Sequence, residues 1–218
     1  MMFEYFPTNY PWSMATVMAV NAGGGISEID EVLSNLRDIA GANDENANQA
    51  WHDAWSKLGE RSRRLAEADA SSNFYISSGE KFLRAACYFM TAERMCKSNS
   101  PLRLNTYKQM LDCFNMGVSN LEDPVARVEI PFQDTHLPGL FYPAKEYSKN
   151  SNSPCIIHFD GLDVMKEFLF LIGVPQQYAR RGISTLLIDH PGVGEALRIK
   201  DLKLTPETEK PASAAVDY

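Results

Sequence analysis

The stretch Pro154–Glu167, PCIIHFDGLDVMKE, runs an apolar segment into Asp160-Gly161 and then at once into a helix-like pattern. Backbone amides at the carboxyl end of a strand, beside a helix start, attract negative charge, because unpaired N–H groups and the helix dipole act in the same sense. Gly161 and Leu162 carry the amides so placed. Three chemistries would use them. A dinucleotide fingerprint needs GxGxxG, and a single glycine stands here. A nucleotide-phosphate loop would give meaning to the later LLIDHPG (Leu186–Gly192), but GxxxxGK[ST] occurs nowhere in the chain. An oxyanion hole for acyl transfer needs amides aimed at one developing negative oxygen, and this turn supplies them. An ordinary strand-to-helix turn also needs one glycine, so the turn alone leaves the last two readings open.

Acyl transfer through a serine also needs a nucleophile, an acid and a histidine. The strand-to-helix elbow GxSxG that exposes such a serine is absent. GISTL around Ser184 fails at its fifth position and falls inside a strand pattern. The four histidines (His52, His136, His158, His190) and four cysteines (Cys87, Cys96, Cys113, Cys155) keep no metal-ligand spacing and no CxxC. The cysteines read as reduced thiols, and neither a metal nor a cofactor is expected.

The elements that position the turn follow from periodicity. Residues 1–124 read as helical and residues 125–218 as an α/β region. ISEIDEVLSNLRDIA places Ile26, Ile29, Leu33, Leu36 and Ile39 on one face, with Ser27 as N-cap and Gly41 as stop. ANQAWHDAWSKLGERSRRLAEADA does the same with Trp51, Trp55, Leu58 and Leu65. SSGEKFLRAACYFMTAERMC and RLNTYKQMLDCFNMGVSNL give two more amphipathic helices, whose aromatic stripes are expected to pack on each other. After Asp123-Pro124 the pattern changes. VARVEIPF and LPGLFYPA form a hairpin turning at QDTH, and a polar loop follows. CIIHF is continuous and β-branched, as in a central parallel strand. DVMKEFLFLIGVPQQYARRG is one helix, ISTLLID a further buried strand, and TPETEKPASAAVDY begins another helix. Strand–helix–strand–helix with buried strands means parallel pairing with right-handed crossovers.

Composition excludes other classes. The chain of 218 residues carries a net charge of -7, which is no footprint for nucleic acid. The Arg-rich GERSRRLAE (Gly59–Glu67) is interleaved with acids, as on a solvated helix face. Glu4 stands where a signal peptide needs positive charge, and Pro7, Asn9, Pro11 and Asn21 interrupt the apolar N-terminal stretch. A cytoplasmic protein without membrane or nucleic-acid partners is the expectation.

Taken together, FDGLDVMKE, LLIDHPGVGEALR and TPETEKPASAAVDY resemble the α/β-hydrolase superfamily, in the subgroup with a helical N-terminal domain. That subgroup includes pseudooxynicotine hydrolases and the polyketide-shortening hydrolases of fungal pigment pathways. The opening FPTNYPWSMATVMAVNAGGGISEID, with SSGEKFLRAACYFMTAERM, is closer to fungal hydrolases of the fusarin- and cytochalasan-cluster type. The resemblance implies that Gly161 and Leu162 are oxyanion donors and that Lys166-Glu167 fall in the following helix. HPGVGE would form the active-site rim, with His190 standing where relatives often have glycine. It implies no cofactor and an apolar, polyketide-like small-molecule substrate. The helical region would shape the pocket, with Trp51, Trp55, Phe82, Tyr88 and Phe89 as lining or, more simply, core residues. A homo-oligomer is compatible with it. The nucleophile, acid and histidine would follow Tyr218, so this polypeptide by itself is expected to be truncated and inactive, with CIIHF an open sheet edge. The alternative is a non-catalytic binding or assembly module, or a truncated pseudoenzyme.

Overall fold

The computed structural model describes residues 4–42, 44–145, 153–161 and 164–218. The chain divides into two compact units, Met1–Asp123 and Pro124–Tyr218.

The first unit is helical. Helix α1 (Tyr10–Asn21) begins where proline and asparagine read as interruptions. Asn9 is its N-cap, accepting the Trp12 N–H at 3.1 Å, and Pro11 occupies the first turn, where a missing N–H costs nothing. Helix α2 (Ile26–Leu33) starts two residues earlier than expected, with Gly25 rather than Ser27 at the cap. The Tyr88 hydroxyl accepts the Gly25 N–H at 2.9 Å and so replaces a local cap from 63 residues away. Leu33 leads into a short 3-10 turn (Ser34–Leu36) instead of a longer helix, and both Ile39 beyond it and Ile26 at the first position of α2 are exposed. Helices α3 (Glu45–Ser71), α4 (Tyr75–Glu93) and α5 (Pro101–Asn120) form the body of the unit. Phe6, Trp12, Trp51, Trp55 and Tyr88 stack through its core with successive ring separations of 5.2, 4.9, 5.4 and 5.9 Å for the pairs Phe6–Trp12, Trp12–Trp51, Trp51–Trp55 and Trp55–Tyr88. Leu65, read as part of the buried face of α3, is exposed.

The second unit is a four-stranded mixed sheet in the order β1-β2-β4-β3. Strands β1 (Ala126–Phe132) and β2 (Thr135–Tyr142) form a hairpin tighter than expected, turning on Gln133 and Asp134 alone. Strand β4 (Ser184–Ile188) runs antiparallel to β2 and parallel to β3 (Cys155–Phe159), with Phe159 opposite Ile188. β4 is buried along its whole length. CIIHF, continuous and β-branched like a central strand, is the open edge of the described sheet, as expected for it in this chain, and Cys155 is exposed. The single helix expected after β3 is two, α6 (Lys166–Leu171) and α7 (Val174–Ala179), broken where Gly173 turns left-handed just before Pro175. Helices α8 (Gly194–Arg198) and α9 (Glu209–Asp217) follow β4. Ala215 of α9 joins Ile130, Phe132, Leu137, Leu186 and Ile188 in one apolar core.

Candidate active-site face

β3 and β4 run parallel, so their carboxyl ends and the two helix starts that follow lie side by side. The residue that ties them together is Asp189, at the end of the buried strand and fully buried itself. One of its carboxyl oxygens accepts the Lys166 backbone N–H at 2.9 Å. The other accepts the Lys166 ammonium at 2.8 Å and the Glu195 N–H at 2.8 Å. A single carboxylate therefore closes the N-termini of α6 and α8, where it also meets the positive ends of both helices.

Lys166 is the counter-charge. Its Nζ lies 2.8 Å from Asp189, 2.8 Å from Glu167 and 3.0 Å from Glu195. Burial pulls its pKa down, but the three carboxylates, Asp189 foremost, outweigh that and hold the ammonium charged. Arg127 on β1 reaches Glu195 at 2.6 Å from the rim. Burial opposes the charge of Glu195, and Lys166 and Arg127 together keep its carboxyl below the ordinary range. Three acids against two bases leave one negative charge in excess. The Glu167 carboxyl is fully buried with the Lys166 ammonium 2.8 Å away, and burial pushes it up despite that lysine. A carboxyl raised in the fold lends stability below the ordinary carboxylate range and loses it as pH climbs through the raised value. Glu167→Gln, fixed in the neutral form, is therefore expected to match the wild type in acid. Above the ordinary carboxylate range its urea midpoint should fall less with pH than the wild type's, and an equal or steeper fall would contradict a Glu167 carboxyl raised by burial.

Of the amides read from sequence, Gly161 N–H donates to the side-chain oxygen of Asp160 at 2.8 Å, on the exposed side of the turn. Leu162 lies outside the described residues. His190 sits across from this turn, its Nδ1 2.8 Å from the Pro191 carbonyl and its Nε2 3.0 Å from the Asp160 carbonyl. Beside it opens a cavity of about 330 Å³ lined by Phe159, His190, Leu204, Thr205, Thr208 and Pro211. Trp51, Trp55, Phe82, Tyr88 and Phe89 are all core residues of the helical unit.

The Lys166–Asp189–Glu195 constellation escaped the sequence reading. The available signal was Asp189 itself, an acid ending a continuous apolar strand, which cannot be buried without a partner.

A serine–histidine–aspartate set does occur on α3. Ser56 Oγ is 3.2 Å from His52 Nε2, and His52 Nδ1 is 3.1 Å from Asp53. It sits in the middle of a helix, where neighbouring amides are consumed by the helix itself, so no donor faces an oxyanion at Ser56. Thr106 also takes the same nitrogen at 2.9 Å. The thiols are poor nucleophiles: burial pushes Cys87 and Cys113 up to about 12 and Cys96 to about 11. Among the described residues no three His, Cys, Asp or Glu side chains are grouped to hold a metal ion, and no helix is long and apolar enough to cross a membrane.

A helical N-terminal region followed by a β1-β2-β4-β3 sheet with parallel β3–β4 pairing is the architecture of the first part of an α/β-hydrolase. The structure of 2,6-dihydroxy-pseudo-oxynicotine hydrolase superposes with a TM-score of 0.68 at 22% identity, over 92% of this chain and 52% of that one. An α/β-hydrolase of Penicillium citrinum is 28% identical over 99% of this chain and 50% of its own length. A 20-hydroxy-prefusarin hydrolase of Gibberella moniliformis is 29% identical over 88% and 46%. No protein-family model matches. The chain is thus a relative of fungal α/β-hydrolases and spans about half the length of the curated relatives it matches.

Proposed function

We propose that this chain is the N-terminal portion of a serine-type α/β-hydrolase acting on a polyketide or polyketide–peptide intermediate, in the cytoplasm and without a cofactor. The observation that carries the reading is the Gly161 N–H at the carboxyl end of β3, presented toward solvent and already holding a side-chain oxygen of Asp160. An amide so exposed is a donor for the oxyanion of a tetrahedral intermediate. Asp189 and Lys166 hold the start of α6, and with it the far end of the turn. The substrate class rests on the fungal relatives, one of them a prefusarin hydrolase. The nucleophile, the acid and the histidine would come from residues outside these 218. The chain alone is then expected to be inactive, because an oxyanion donor without a triad retains only residual catalysis.

A fluorophosphonate serine probe tests this in two arms. The 24.4 kDa chain alone is expected to stay unlabelled, and labelling there would overturn the missing nucleophile. In the natural source, the polypeptide recognised by an antibody against residues 45–71 is expected to be larger and labelled. A larger polypeptide that stays unlabelled would overturn the hydrolase reading in favour of a non-catalytic module.

A further inference from the structure

The Asp160 carbonyl and the Gly161 N–H belong to one peptide unit. That unit is planar and trans, so its C=O and N–H point in opposite directions. A group that holds the carbonyl therefore sets the direction of the amide. His190 Nε2 lies 3.0 Å from that carbonyl oxygen, across the gap between the turns after β3 and β4. The contact is a hydrogen bond only when Nε2 carries the hydrogen, because a carbonyl donates nothing. The other ring nitrogen, Nδ1, faces the Pro191 carbonyl at 2.8 Å, a second acceptor, so a neutral ring donates to one of the two carbonyls and only the doubly protonated ring to both; the ring packs 6.3 Å from the Phe159 ring. On the other side of the peptide, the Gly161 N–H meets the Asp160 side-chain oxygen, an acceptor of the kind an oxyanion would replace.

We propose that His190 is a positioning residue, whose Nε2–H grips the Asp160 carbonyl and thereby points the Gly161 N–H outward as an anion donor. Its place in catalysis rests on the hydrolase reading, whereas the grip itself does not. Glycine at position 190 has no side chain to reach the carbonyl, so the peptide would be free to turn its oxygen toward the anion and its N–H away.

The test uses the 218-residue chain labelled with 15N at glycine and histidine. In the wild type, the nitrogen shifts of the His190 ring are expected to show a hydrogen on Nε2. A ring bearing its only hydrogen on Nδ1 would overturn the proposal without any variant. In His190→Ala the Gly161 amide resonance is expected to shift and to broaden or split, and His190→Gln, whose amide can donate to the same carbonyl, should restore it. An unmoved Gly161 resonance in a folded His190→Ala would also overturn it. In the larger natural polypeptide, the same alanine variant is expected to lower kcat about tenfold, the worth of one hydrogen bond, with KM little changed and the glutamine variant recovering most of the loss. A Gly161 resonance that responds while kcat does not would leave the grip standing and remove Gly161 from the oxyanion site.

Discussion

Lys166→Met is expected to unfold the sheet unit under mild denaturant while leaving the helical unit's tryptophan signal to report separately. The lysine side chain is fully buried, and so are Asp189 and Glu167 beside it, with Glu195 only 12% exposed. Removing the ammonium leaves their negative charge without its central partner. Breaking a buried ion pair by deleting one partner costs about 3–5 kcal/mol, because the remaining charge stays desolvated. A domain of ordinary size has only about 5–15 kcal/mol in total, so the loss is a large share. Methionine fills much of the lysine's volume, so the effect isolates charge from packing. Trp12, Trp51 and Trp55 all lie in the helical unit, so the readout for the sheet must be amide exchange in β4, whose protection should fall by that amount. Unchanged β4 protection in Lys166→Met would mean the carboxylates find water or protons cheaply, and the cluster would lose its structural role.

The sequence declared this cluster poorly, and the reason is physical. Lysine and glutamate together at the start of a helix look like a solvated pair, since periodicity reports faces and not depth. Only the apolar end of β4, Leu186–Ile188, running straight into Asp189, signalled that a charge had to be met inside. The elements themselves were more legible, because apolar spacing at helical or strand period is a direct consequence of burial: α3, α4, α5 and all four strands follow it. The misreadings have local causes. Pro11 and Asn9 are breakers by type but serve as first-turn residue and cap, so residue type alone hides α1. The start of α2 is set by Tyr88, a partner that no local pattern could reveal. The break between α6 and α7 needed the backbone angle at Gly173 to be seen. At the site, the sequence pointed to the turn at Gly161 from its glycine and its place after a strand. It also marked His190 as a departure from related proteins, without showing the carbonyl that the ring would reach.

Gly194→Ala should be nearly as damaging as the loss of Lys166, through geometry instead of charge. Gly194 opens α8 with φ at +47°, and a Cβ built there would lie 2.1–2.4 Å from the Asp189 carboxyl atoms. No rotamer relieves that clash, since Cβ is fixed by the backbone. Either the turn opens or Asp189 moves, and in moving it releases the Lys166 N–H, the Lys166 ammonium and the Glu195 N–H together. Leaving a buried donor or acceptor unmet costs about 1–3 kcal/mol each and more for charged groups, so a loss of at least about 3 kcal/mol is expected. Gly173→Ala supplies the control. Gly173 is also left-handed, at +81°, but nothing lies within 4 Å of the Cβ it would gain. Its cost should be the backbone term alone, about 1 kcal/mol. The difference between the two variants, measured as urea stability or β4 amide protection, reads the clash with Asp189 directly. If the two variants lose the same amount, the turn around Asp189 can adjust freely, and the carboxylate would not fix the two helix starts.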